Sequence, residues 1–193
     1  MSKNKPSSPS VDGTDLFIAI VASRYNEQYV EPLLQKVRET LQKNRVAESS
    51  IRVLRVPGAA EIPYAAQMLA LTNEYDAIIA LGLILKGDTD HASTLATTTA
   101  YALQGVALQN EIPVINGILS VNNVEQAEER VNGPADRGTE FANTALEMAW
   151  HRVRLSDYLD TLDAEAECEG REAAGRLGPD EADDDNDDFR FNN

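Results

Sequence analysis

The sequence predicts an α/β fold, a four-stranded parallel sheet with helices on both faces, and three observations carry that expectation. Short apolar runs rich in Ile and Val alternate with longer segments of helical spacing. The runs are nearly continuous in apolar residues, as strands covered on both faces are. Small, polar or glycine residues end the runs, and a repeated strand–helix order of this kind implies right-handed crossovers.

The first strand is expected within Asp15–Ala22, a run of Leu, Phe, Ile, Ala and Val. Glu27–Lys43 follows with Val30, Leu33, Leu34, Val37 and Leu41 on one helical face. Ile51–Val56 reads as the second strand, stopped by Pro57-Gly58. Glu61–Leu71 reads as a helix that tolerates Pro63 in its first turn. Ala77–Leu85 is the third strand, and Asp90–Gln109 a long helix. Pro113–Ser120 is the fourth strand, Val124–Val131 a short helix, and Gly138–Leu155 or beyond a last amphipathic helix.

At 193 residues the chain suits one domain plus a tail. Residues 1–14 are expected to be a flexible arm, residues 15–160 the α/β domain and residues 161–193 an acidic tail. From Leu155 to Asn193 there are 14 Asp/Glu against 3 Arg, so −11 of the net charge of −15 lies there. The stretch Pro179–Asn193 is expected to be disordered, because it holds too little apolar surface to offset the loss of chain entropy. Without a basic stripe the chain is not expected to bind nucleic acid. Without an apolar run of about 18 residues it is not expected to span a membrane. The N-terminal residues lack the apolar core of a secretory signal, and the lone Cys168 fits a reducing, cytoplasmic location.

In parallel sheets ligands bind beyond the carboxyl ends of the strands, and the candidate residues are assigned there. Ser23-Arg24-Tyr25-Asn26-Glu27 follows the first strand. By itself it reads first as a helix start capped by Asn26, with a stacking surface offered by Tyr25 as the functional alternative. Gly58-Ala59-Ala60-Glu61 follows the second, small enough for a ligand to approach the backbone, with Glu61 either favouring the helix dipole or binding hydroxyls. Lys86-Gly87-Asp88-Thr89-Asp90-His91 follows the third. A strand, a glycine turn and a helix N-terminus make an anion site, and at its rim stands a histidine, His91, a side-chain type suited to proton transfer. Thr89 or Asp90 capping the helix is the purely structural alternative. After the fourth strand are placed Asn116-Gly117, then Arg130 and Asp136-Arg137, the arginines matching phosphate geometry. His151, within the last helix, is read as structural.

Taken together and in order, these loops resemble the lumazine synthase family. The resemblance rests on Ser23–Glu27, Val56–Pro63, Ala80–His91, Ile112–Leu119, Val124–Arg130 and Thr144–Ala149, and it covers roughly Leu16 to Trp150. It implies a flavodoxin-like sandwich assembled as homopentamers or multiples of them. It also implies condensation of 5-amino-6-(D-ribitylamino)uracil with 3,4-dihydroxy-2-butanone 4-phosphate in riboflavin biosynthesis, with no metal and no organic cofactor. Tyr25 would stack on the pyrimidine; Ala59, Ala60, Glu61, the backbone of Leu83, Ile84 and Leu85, and Asn116 would complete the ribitylaminouracil pocket. Asp88, Thr89, Arg130 and Arg137 would bind the butanone phosphate, and His91 would transfer protons. Asn116, Arg130 and Arg137 would come from a neighbouring subunit, and riboflavin synthase is an implied partner.

The chain departs from the family at Ala60, where an aromatic is common, and at Asn116, where a bulky apolar residue is common. A roomier, more polar pocket follows. Arg137 stands where a lysine is usual, in a loop, Val131–Arg137, a residue shorter than the family's. Two alternatives remain beside the enzyme: a non-catalytic shell or scaffold of the same fold whose acidic tail recruits basic cargo, and a generic phosphate binder.

Overall fold

The computed structural model describes residues 11–87 and 89–176, with side chains as far as residue 166. Along it run β1 (Ile18–Ser23), α1 (Glu27–Lys43), β2 (Ile51–Val56), α2 (Ile62–Ala70), β3 (Ala77–Leu85), α3 (His91–Gln109), β4 (Val114–Val121), α4 (Val124–Val131) and α5 (Arg137–Arg176). Short 3-10 turns, Glu48–Ser50 and Ala59–Glu61, precede β2 and α2. The strands form one sheet in the order β2-β1-β3-β4, and every pairing is parallel. No helix among the described residues is long and apolar enough to cross a membrane.

Side chains of a strand alternate between faces, and here both faces are apolar. Ile18, Ile20, Ile79 and Leu81 point into a core shared with Leu33, Val37 and Leu41 of α1, Val131 of α4, and Phe141, Ala145 and Leu146 of α5. Ala19, Val21, Ile78 and Ala80 point into a second core, shared with Ile62 and Ala66 of α2 and Leu103 and Val106 of α3. Each fully buried Ile or Leu contributes about 1.5–3 kcal/mol, so the central strands β1 and β3 anchor the molecule.

β1 starts at Ile18 rather than at Asp15. The Phe17 N–H donates to the carboxylate of Asp76, from a distant segment (2.8 Å), and the sheet ladder begins one residue later. Residues 11–14 belong to the packed body. Val11 is buried, the Gly13 N–H donates to the Asn44 carbonyl (2.8 Å), and Asp12 pairs with Arg45 (2.5 Å). The remainder of the expected flexible arm, residues 1–10, lies outside the described residues.

The chain divides into two compact units, Met1–Arg154 and Leu155–Asn193. In the second unit α5 continues to Arg176, through the first part of the acidic segment, where Ala and Glu are strong helix formers. The expected disorder of Pro179–Asn193 falls outside the described residues.

Candidate active site

Because the sheet is parallel, Ser23, Val56 and Leu85 end their strands at one edge, and the loops that follow them meet there. They line a cleft of about 510 Å³ that holds Tyr25, Asn26, Gly58, Ala59, Ala60, Glu61, Leu83, Ile84, Leu85, Thr89 and His91.

The first lip is built by β1. The Arg24 N–H donates to the Val56 carbonyl (2.8 Å) and the Tyr25 N–H to the Pro57 carbonyl (3.0 Å), which fastens the loop to the end of β2. Asn26 adopts left-handed backbone (φ 57°), a conformation asparagine tolerates better than most residues. It stands at the N-cap position of α1, but its side chain does not cap the helix. Its amide donates instead to the Leu83 carbonyl (2.7 Å), tying the first loop to β3 across the cleft floor. The capping reading of Asn26 is thereby corrected. Tyr25 itself is 74% exposed, an aromatic face presented to solvent and to the cleft.

The second lip is Gly58–Glu61. The Gly58 N–H donates to the Glu61 Oε2 (2.8 Å), so the carboxylate folds back over the turn. A Cβ on Gly58 would lie 3.1 Å from that oxygen and 3.3 Å from the Tyr25 ring, so glycine permits both side chains to sit here. Ala59 is buried and Ala60 faces solvent, leaving open space where a larger side chain would fill the cleft.

The third lip is the start of α3. Asp90 occupies the N-cap position without a side-chain cap, and Thr89 is exposed in the cleft, so the capping alternative for Asp90 does not hold. The first-turn N–H groups and the helix dipole favour an anion at this place. His91 is the first helical residue, exposed and facing the cleft. Asp88 lies outside the described residues.

Three expected site residues are not brought to this cleft. Asn116 sits inside β4, in register with Ala80, and its Oδ1 accepts from the Ile118 N–H (3.1 Å). The expectation that it lies beyond the strand's carboxyl end is thereby corrected, because β4 continues to Val121. Arg130 is half-buried on α4 and donates to the Gln126 carbonyl (3.1 Å). Arg137 pairs with Glu140 (2.6 Å) and lies over the Phe141 ring (4.9 Å). Among the described lining residues there is no lysine or arginine. Asn26, Gly87, Ala92 and Leu95 line the cleft without having been singled out as binding residues. For Asn26 a sequence signal existed, an asparagine in the loop that follows a buried strand; Leu95 is one helical turn beyond His91.

The fold and the cleft define a class: an α/β protein whose strand-end cleft holds an exposed aromatic, a carboxylate and a helix N-terminus. The model of the 6,7-dimethyl-8-ribityllumazine synthase family matches residues 15–152. The chain therefore belongs to that family. It is 44% identical over 131 residues to the 6,7-dimethyl-8-ribityllumazine synthase of Xanthomonas oryzae pv. oryzae, covering 67% of this chain and 85% of that protein. The protein of the same name from Paracidovorax citrulli is 41% identical over 146 residues, 76% of this chain and 93% of its own length. The one from Leuconostoc mesenteroides is 36% identical over 139 residues, 72% and 89% respectively.

Proposed function

We propose that this chain catalyses the condensation of 5-amino-6-(D-ribitylamino)uracil with 3,4-dihydroxy-2-butanone 4-phosphate, forming 6,7-dimethyl-8-ribityllumazine with release of phosphate and water. The observation that carries the reading is the joining of Tyr25, Glu61, Thr89 and His91 in one cleft, in a chain matched to the synthase family over residues 15–152.

Tyr25 stacks on the pyrimidine, Ala59, Ala60 and the Leu83–Leu85 backbone read its edges, and Glu61 accepts from the ribityl hydroxyls. Thr89, the backbone at Asp88 and the first turn of α3 receive the phosphate. The ring substrate's primary amine attacks the ketone and water leaves to give an imine. Phosphate is then eliminated, and the ribityl-bearing nitrogen adds to the carbonyl this generates, a second water departing as the second ring closes. Every one of these steps moves protons near neutral pH, a task suited to the imidazole of His91. No step changes the oxidation level through an external oxidant, which fits a reaction run by side chains alone. Donors at the α3 N-terminus stabilise the charge growing on the departing phosphate.

A full site needs cations that the described lining of one chain's cleft does not include. We infer a homo-oligomer, a pentamer or a multiple of it, in which a neighbour's Arg130 and Arg137 complete the phosphate end and its Asn116 the ribitylaminouracil pocket. The exposure of Tyr64 and Met68 on α2 and of Tyr101 and Leu108 on α3 supports a buried face between copies. Use of a single cysteine supports a cytoplasmic location. Riboflavin synthase, which consumes the product, is the expected functional partner. The non-catalytic scaffold reading is not favoured, since a scaffold has no use for Tyr25, Glu61, Thr89 and His91 together.

The test is direct: purified protein incubated with both substrates should generate the absorbance and fluorescence of the lumazine faster than the spontaneous background. A rate equal to background at high protein concentration would overturn the assignment.

A further inference from the structure

We propose that the extension of α5, Leu155–Ala166, is a docking helix for a basic amphipathic helix of another protein. The family match ends at residue 152, yet α5 runs on to Arg176. The extension thus lies beyond the matched domain, and it carries apolar residues that the matched domain does not account for.

Leu155, Tyr158, Leu159 and Leu162 recur at i, i+3, i+4 and i+7, which gathers them into a stripe roughly 100° wide on an α-helix. Each is exposed by 40% to 60%. A lone exposed leucine is ordinary, but an unbroken line of large apolar side chains over two helical turns marks an interaction site. Between Leu155 and Ala166 the charged residues are Asp157, Asp160, Asp163 and Glu165, with no lysine or arginine. By helical spacing Asp163 borders the stripe on one side and Glu165 on the other.

The surface is therefore an apolar line between acidic rims, which selects the occupant. A second copy of the same helix would match the apolar line but oppose acid to acid along both rims. A helix with apolar anchors at matching spacing and Lys or Arg beside them satisfies the line and the rims together.

The probe is a labelled synthetic helix with Leu at the a and d heptad positions and Lys at e and g, titrated with the full chain and followed by fluorescence anisotropy. Saturable binding is expected, and no binding of the counterpart with Glu at e and g. Leu159→Gln with Leu162→Gln keeps every charge and should weaken binding by roughly tenfold or more, helix content by circular dichroism being unchanged. Asp163→Lys with Glu165→Lys should transfer the preference to the Glu peptide. Three results would overturn the proposal: no binding by the unaltered chain, equal binding by the Leu variant, or self-association through the stripe that excludes the peptide. Equal binding would assign the attraction to acidity alone, and self-association would make a second copy the occupant.

Discussion

His91 and Tyr25 line the same cleft from different loops, and under the proposed function each predicts a different kinetic defect. His91→Ala should lower kcat about 10²-fold, the low end for a proton-transfer group, with a residual rate from spontaneous condensation. Tyr25→Ala should act on binding. Stacking of a base on an aromatic ring is worth about 1–3 kcal/mol, so the KM for the ribitylaminouracil should rise roughly tenfold with a smaller change in kcat. Steady-state kinetics with each substrate varied separates the two. If Tyr25→Ala left that KM unchanged, the stacking role would be wrong. Gly58→Ala provides a geometric check, because the added methyl meets both Glu61 and the Tyr25 ring.

Among the elements, two features oppose local propensity, and packing overrides both. α1 continues through Pro32, which removes a helical hydrogen bond at a cost of about 3 kcal/mol. Burial of Leu33, Leu34, Val37 and Leu41 along the same helix outweighs it. β4 carries Gly117 at a position where a Cβ would lie 2.8 Å from the Ala80 carbonyl oxygen and 2.9 Å from Phe141. Gly117→Ala should therefore overpack the α5 face and destabilise the domain by about 1–3 kcal/mol, read as a lowered Tm. The start of the packed chain is sensitive to acid. Hydrogen bonds from Thr14, with Arg45 nearby, hold the Asp12 carboxyl below the usual carboxylate range. A lowered folded-state value means that this contribution is present above the ordinary Asp range and lost as pH falls through the lowered value. Asp12→Asn should remove that part of the acid dependence, measured as Tm against pH below about 4.

Across the whole molecule, the division of the site between copies is open to a complementation test. A His91→Ala chain and an Arg130→Ala chain, each weak alone, should regain activity when unfolded and refolded together, with about a quarter of the sites intact if neighbours share them. No recovery in mixed oligomers would return Arg130 to a role within its own chain. Sedimentation gives the assembly size in the same samples.

Much of this was legible in the sequence because it depends on periodicity and local chemistry. Apolar runs such as Ala77–Leu85 can be satisfied only inside a sheet covered on both faces, and the amphipathic face of α1 follows from its spacing alone. The order of the loops was enough to bring Tyr25, Ala59, Ala60, Glu61, Thr89 and His91 to one sheet edge, since parallel strands deliver their carboxyl ends together. What only the tertiary structure decided were relations between distant segments. Asn26 leaves its own helix for the Leu83 carbonyl, Phe17 takes the Asp76 carboxylate instead of a ladder bond, and Asn116 falls within β4 rather than beyond it. Those outcomes turn on which partner is nearest in space, a quantity that neither residue type nor spacing encodes.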